Sequence, residues 1–165
     1  VGTYGVSSFV ERFNMIPEWK APMWSILTFM GALGSYLSGL LVARFGRRPV
    51  TLVSSLVMGL LTMCFMNMNG FWAAGVLITL NGIAWTIWFP ASTSLTLEQS
   101  PQYRGSIMSL NEASRSFGVA LGVGIGGLVL LRFGYGYLGL VLGGLGVMAS
   151  FLYYLFSIDP TLQND

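Results

Sequence analysis

Long apolar runs separated by short polar connections set the pattern of this chain. A helix needs about 20 apolar residues to cross a bilayer, and five runs have roughly that length. They are residues 23–43, 50–68, 71–97, 106–131 and 137–156. Residues 1–13 have the composition of the last half of a sixth run. The pattern predicts an all-α fold, a polytopic transmembrane helical bundle with five complete spans and part of a sixth.

The polar connections predict which loops share a side of the membrane. Alternation of the spans puts the loops 44–49 and 98–105 on one side, together with the C-terminal tail. The basic residues of that side are Arg44, Arg47, Arg48 and Arg104, against Arg12, Lys20 and Arg132 on the other side. Because three of these arginines fall within five residues of one short loop, we assign the first side to the cytoplasm.

Composition supports a membrane protein and excludes several kinds of site and partner. The chain is 54% hydrophobic and 8% charged, and its mean hydropathy of +0.70 is outside the range of an ordinary soluble domain. The single cysteine, Cys64, excludes an internal disulfide and a cysteine metal cluster. The net charge of +2 does not suggest a nucleic-acid partner.

The sequence also argues against an enzyme. It contains no Gly-Lys-Ser/Thr loop for phosphate binding, no histidine, and no nucleophile with an accompanying base. We therefore expect no catalytic residue, no metal and no cofactor. Because the chain begins at Val1 without a cleavable leader, we expect a fragment whose upstream sequence is missing.

An internal repeat relates two of the predicted spans. Residues 29–46 and 117–134 match at nine of eighteen positions without a gap, and both segments end in Arg-Phe-Gly. An odd number of spans lies between the starts of the two copies, so the copies run in opposite directions. This arrangement predicts inverted three-helix repeats, a device that is common in secondary transporters.

Two loops carry a family signature. The first has Gly39, three residues, Ala43, Arg44, one residue, Gly46, Arg47 and Arg48; the second has Glu98, Pro101, Arg104 and Gly105. The loops resemble those of the major facilitator superfamily, in which an Asp occupies the position of Ala43. The resemblance implies that Arg44, Arg48, Glu98 and Arg104 form a charge network that holds the cytoplasmic side closed. The alternative is that the arginines are only positive-inside anchors.

A glycine pattern narrows this resemblance. Gly118, Gly122, Gly126 and Gly127 are similar to the glycine-rich fifth helix of drug and sugar efflux antiporters, with Val123 in place of a proline. Ala43 and Val123 both depart from the motifs, and such departures are usual in the C-terminal half of these proteins. The resemblance therefore implies that residues 1–165 are part of that half, helices seven to twelve, and that the N-terminal half is missing.

Glu112 and Arg115 are charged residues well inside a predicted span. At 1.5 Å per residue they lie about 9 Å and about 5 Å from the middle of the 106–131 span. Ionisable groups at that depth mark a substrate pathway or a proton relay, and Asn111 adds a polar group beside them. The alternative is a purely structural pair, because residues three apart meet on one helix face.

A polar and aromatic stripe occupies one face of the 71–97 span. Asn81, Trp85, Trp88 and Ser92 recur at helical spacing, and Pro90 predicts a kink beside them. Asn81, Trp85 and Trp88 are therefore candidates for lining a substrate cavity with Asn111, although such a stripe also serves for packing. Small residues at every fourth position predict close helix packing at Gly31, Gly39, Gly118, Gly122 and Gly126.

The residues and the resemblance together predict a secondary transporter that moves a small solute by alternating access, with proton-coupled efflux as the preferred form. Its expected location is the plasma membrane or the bacterial inner membrane, as a multi-pass protein. Its expected partners are the lipid bilayer, a small-molecule substrate, protons and the missing N-terminal half. The alternative is a membrane scaffold or sensor that retains the transporter fold without transporting.

Overall fold

The structure, a computed structural model, describes residues 20–68, 70–99 and 101–157. Four α-helices follow one another in this part of the chain: α1 (Lys20–Phe45), α2 (Arg47–Asn67), α3 (Phe71–Glu98) and α4 (Arg104–Phe156). A short 3-10 turn, Pro101–Tyr103, precedes α4. The described regular structure is thus entirely helical, as the apolar pattern predicts. Residues 1–13, predicted to be part of a sixth span, lie outside the described residues.

Three of the described helices, α2, α3 and α4, are long and apolar enough to cross a membrane. The bounds of α1, α2 and α3 agree with the predicted spans to within three residues at each end. The fourth and fifth predicted spans are contained in α4, which is 53 residues long. The count of five complete spans therefore stays a prediction.

Gly134 divides α4 where a five-residue turn was expected. Its backbone angles, φ 79° and ψ −176°, are non-helical and lie in a region that is essentially restricted to glycine. We name the two parts α4a (residues 104–133) and α4b (residues 135–156). Ile107 of α4a and Tyr153 of α4b line the same groove, so the chain reverses direction at this single glycine.

Helix α2 packs against both α3 and α4b, while α1 packs against α3. Since lipid supplies no hydrophobic force between helices, such contacts depend on close packing and on hydrogen bonds between helices. Ser150 Oγ donates to the Leu52 carbonyl at 2.9 Å, and Ser38 Oγ donates to the Ile87 carbonyl at 2.8 Å. These two bonds join α4b to α2 and α1 to α3.

The contact between α2 and α4b, which we call the glycine seam, contains Gly59, Gly139, Gly143 and Gly146. A Cβ added at Gly143 would lie 2.7 Å from the Gly59 carbonyl oxygen, and one added at Gly59 would lie 2.9 Å from the Gly143 carbonyl oxygen. Larger residues cannot occupy these positions without separating the two backbones. The seam brings the helices as close as small-residue packing allows.

The glycines predicted to mediate packing fall into two groups. Gly31 and Gly126 are buried, and a Cβ at Gly31 would lie 3.1 Å from Thr86 Cγ2. In contrast, a Cβ added at Gly39, Gly118 or Gly122 would meet no described atom outside its own surroundings within 4 Å. The packing prediction for these three stays a prediction, because no described helix covers their faces.

Candidate functional site

Charged side chains from three elements meet at one end of the bundle. Glu98 ends α3, Arg47 begins α2 and Arg104 begins α4. The Glu98 carboxylate lies 3.5 Å from Arg47 Nη1 and 4.0 Å from Arg104 Nη2. We call these three residues the Glu98 cluster. It joins the two loops that the alternation of spans put on one side, so the relative sidedness of these loops is confirmed.

The structure corrects which arginine of the first loop meets Glu98. Arg47 is the partner in the structure, whereas the sequence favoured Arg44 and Arg48. Arg48 Nη2 instead donates to the Tyr154 carbonyl at 2.8 Å, and the Arg44 guanidinium lies 5.5 Å from the centre of the Phe45 ring. Neighbouring residues project about 100° apart around a helix, so Arg47 turns toward α3 while Arg48 turns toward α4b.

Arg48 donates a hydrogen bond to a backbone carbonyl at the end of a helix. The last four carbonyls of a helix lack partners within the helix, and the Tyr154 carbonyl is one of them. A guanidinium at this position also interacts favourably with the negative end of the helix dipole. Because Tyr154 lies close to the end of α4, this bond places that helix end beside the arginine loop. Residues 158–165 of the tail lie outside the described residues.

A second ion pair lies inside α4a. Arg115 Nη2 and Nε approach Glu112 Oε2 at 2.7 and 3.1 Å, so the predicted i,i+3 pair forms. The two side chains are 42% and 43% exposed. Such a pair, well inside an apolar helix, does not face hydrocarbon without a large cost. Its surface therefore belongs against protein or a water-filled cavity, and half-buried Asn111 lies next to it in the chain.

The ion pair contacts an aromatic cluster on α3. The Arg115 guanidinium carbon is 5.1 Å from the centre of the Phe89 ring. Phe89 stacks with Trp85 at 6.4 Å and an interplanar angle of 21°, and Trp85 lies 5.4 Å from Trp88. Trp85 is 42% exposed. We call Trp85, Phe89, Glu112 and Arg115 the aromatic-ion cluster.

Sequence reasoning missed Phe89. It precedes Pro90 and follows Trp85 by four residues, a spacing that places the two rings on one helix face. The sequence therefore contained a local signal for Phe89. The contact between Phe89 and Arg115 could not be predicted, because it joins two helices across 26 residues of sequence.

The structure places Asn81 apart from the aromatic-ion cluster. Its side chain amide is buried, with the residue 4% exposed, and donates to the Met58 carbonyl at 3.0 Å and to Thr62 Oγ1 at 2.9 Å. These bonds join α3 to α2. The residues predicted to line one cavity therefore lie in different surroundings: Trp85 is at the surface, while Asn81 is part of a helix interface. Trp88 is half-buried, and its indole Nε1 has no hydrogen-bond partner among the described residues.

Long apolar helices, polar bonds between them and an ion pair inside a span define a multi-pass helical membrane protein. Comparison with known families specifies the class further. The chain belongs to the Major Facilitator Superfamily, whose family model matches residues 19–165. The resemblance to this family is thereby confirmed, and the chain is placed among transport proteins and not among enzymes. The assignment to a C-terminal half, drawn from the glycine pattern, stays a prediction.

Curated relatives match much of the chain at low identity. A "Probable sugar efflux transporter" of Helicobacter pylori (strain G27) is 27% identical over 155 residues, which are 91% of this chain and 40% of that protein. A "Putative multidrug resistance protein MdtD" of Cronobacter sakazakii is 33% identical over 98 residues, 57% of this chain and 21% of that protein. The chain thus spans less than half the length of these relatives. No solved structure matches it significantly.

Proposed function

We propose that this chain is part of a secondary active transporter that moves a small solute across a membrane by alternating access. The observation that carries the proposal is the Glu112–Arg115 pair, which is ionic, well inside an apolar helix and more than 40% exposed. A solute pathway supplies the polar surroundings that such a pair requires. Trp85 and Phe89 add an aromatic surface to which an amphipathic solute binds by stacking.

Proton-coupled efflux is the form of transport that we propose. Glu112 is the carboxylate inside the described spans that is placed to exchange a proton as the solute site opens and closes, and Asn111 lies beside it. The name of one relative, a probable sugar efflux transporter, supports efflux. We place the protein in the plasma membrane or the bacterial inner membrane, with lipid, solute and protons as its partners.

The Glu98 cluster is proposed as the cytoplasmic gate. It joins the starts of α2 and α4 to the end of α3, so these helix ends cannot separate without breaking the two ion pairs. Exposed ion pairs contribute about 0 to 1 kcal/mol each. The cluster therefore biases the equilibrium between conformations without locking it. Arg48 acts on the same gate by holding the end of α4b, and Arg44 remains an anchor at the membrane surface.

The exposed faces of α1 and α4a are proposed to pack against an N-terminal half of the same protein. Gly39, Gly118 and Gly122 leave these faces smooth, and large apolar side chains, such as those of Tyr36, Leu40 and Phe117, stand exposed around them. Residues 1–165 would then be helices seven to twelve of a two-half transporter. Smooth surfaces of this kind allow one half to rock against the other.

Reconstitution of the full-length protein tests the proposal. In proteoliposomes with an imposed pH gradient, a panel of neutral sugars and amphipathic drugs is screened for counter-movement of solute and protons. We expect gradient-dependent transport that Glu112→Gln abolishes. Because Glu112→Gln leaves Arg115 without its carboxylate, the double variant Glu112→Gln/Arg115→Gln serves as the control for folding. Transport that ignores the gradient would exclude proton coupling, and absence of transport by a folded protein would favour a scaffold.

A further inference from the structure

The Arg115 guanidinium occupies a position with two features of a cation-binding site. The Glu112 carboxylate lies 2.7 Å from its Nη2 atom, and the centre of the Phe89 ring lies 5.1 Å from its central carbon. A carboxylate together with an aromatic face is the arrangement that binds organic cations, since both supply negative potential. Trp85, stacked against Phe89, extends the aromatic surface.

We propose that the aromatic-ion cluster is an organic-cation site that the protein fills with its own Arg115. In this arrangement Arg115 is a specificity-determining residue. Its guanidinium neutralises Glu112 and lies over the Phe89 ring, while the exposed Trp85 ring offers a further aromatic surface. A neutral solute can stack on Trp85. A cation, in contrast, is repelled by the charge of Arg115 and finds the Glu112 carboxylate already paired.

The geometry also identifies what removal of Arg115 would produce. Glu112 is on α4a and Phe89 is on α3, so the two groups that would form the cation site come from different helices. A side chain of similar length without charge would leave the carboxylate and the ring in place. The vacated space would then accept a quaternary ammonium ion. The proposal rests on the proposed function only for the water-filled cavity that lets such an ion reach the cluster.

Binding of choline to the purified full-length protein tests the proposal. Its carbon isostere, 3,3-dimethylbutanol, is the matched neutral probe. We expect no saturable choline binding by the wild type and clear binding by Arg115→Met. Arg115→Lys retains a cation and should not bind choline. Arg115→Met should prefer choline to the neutral isostere, whereas the wild type and Arg115→Lys should show no such preference.

Second substitutions in the Arg115→Met protein show which groups form the site. Adding Glu112→Gln should weaken choline binding about tenfold or more, because it removes the charge partner. Adding Phe89→Leu should weaken it about two- to thirtyfold, the range of a cation–π contact. If Arg115→Met unfolds, Arg115→Gln preserves a hydrogen-bond donor toward Glu112, and thermal stabilisation by choline then replaces direct binding as the measurement.

Three results would overturn the proposal: choline binding by the wild type equal to that of Arg115→Met, choline binding by neither neutral variant, or binding that survives loss of both Glu112 and Phe89. These results are independent of the transport test. If the wild type transports solute while neither variant binds choline, the cation site alone is wrong. If the variants bind choline while no transport exists, the site stands and the proposed function fails.

Discussion

Glycine serves opposite purposes on two surfaces of this molecule. In the glycine seam, Gly59, Gly143 and Gly146 bring the backbones of α2 and α4b together, and Ser55 and Ser150 donate hydrogen bonds across the same contact. On α4a, a Cβ added at Gly118, Gly122 or Gly124 meets no described atom outside its own helix surroundings within 4 Å. We call Gly118 and Gly122, which share one side of the helix, the open glycine face.

The difference shows that a run of small residues does not by itself join membrane helices. Close approach stabilises a contact only where the opposite surface is complementary and its polar groups find partners. The seam meets both conditions within the described residues, while the open glycine face meets neither. We infer that the seam is a fixed part of the bundle and that the open glycine face is a surface for a partner that moves.

Gly143→Leu should have the largest effect of the changes considered. The new side chain would overlap Gly59 and Met63, since a Cβ alone comes within 2.7 Å of the Gly59 carbonyl oxygen. We expect a loss of about 3 kcal/mol in the free energy of unfolding, at the upper end for overpacking. Denaturant titration in detergent micelles measures it.

Gly118→Leu is the matched control for that change. It adds the same side chain to the open glycine face, so we expect the free energy of unfolding to change by less than about 0.5 kcal/mol. Transport by the full-length protein should nevertheless fall sharply if a second half packs there. Equal destabilisation by the two variants would remove the distinction between the two surfaces.

Gly134→Ala should have the next largest effect, for a reason unrelated to packing. A Cβ at Gly134 meets nothing within 4 Å among the described residues, but its φ of 79° is costly for any residue with a side chain. We expect a loss of about 1 to 3 kcal/mol in the free energy of unfolding. Gly124→Ala, in open space on a regular helix, should be neutral or slightly stabilising. Similar unfolding curves for the two variants would contradict the single-glycine reversal.

Asn81→Leu distinguishes a structural amide from a substrate ligand. It removes the bonds to Met58 and Thr62 that join α3 to α2. Hydrogen bonds between membrane helices contribute about 0.6 kcal/mol on average, so we expect a loss of about 1 kcal/mol of stability with solute affinity unchanged. Thermal unfolding and solute binding measure the two quantities separately. A fall in solute affinity at unchanged stability would instead show that Asn81 contacts the solute.

The sequence allowed prediction of features that depend on local pattern. Apolar length gave α1, α2 and α3, and i,i+3 spacing gave the Glu112–Arg115 pair. Features that depend on how the helices are oriented relative to one another could not be predicted from the sequence. The reversal at Gly134 uses one residue because of a backbone angle that composition does not reveal. Residues 132–136, which are an arginine, two aromatic residues and two glycines, looked like a turn.

In the candidate site, too, the residues could be identified from the sequence, while the pairs that they form could not. The charged residues of the two loops were identified, but whether Arg47 or Arg48 meets Glu98 depends on the angle at which α2 starts after Gly46. Gly46 and Gly134 occupy equivalent positions of the predicted repeat and are the described glycines with positive φ, at 86° and 79°. The two helix ends therefore agree in backbone conformation, while the inverted three-helix symmetry itself stays a prediction.

Glu98→Gln should change stability only slightly and yet distinguish fixed surfaces of the bundle from moving ones. It removes the charge that holds Arg47 and Arg104, with a cost of about 0 to 1 kcal/mol because the cluster is partly exposed. If the cluster is a gate, the same energy shifts the conformational equilibrium by up to about fivefold. Labelling of cysteines introduced one at a time on the open glycine face should then accelerate from the cytoplasmic side, while labelling of Cys64, exposed on α2, stays constant. Equal changes at both positions would indicate general loosening of the bundle, and unchanged labelling at both would mean that Glu98 only anchors the loops.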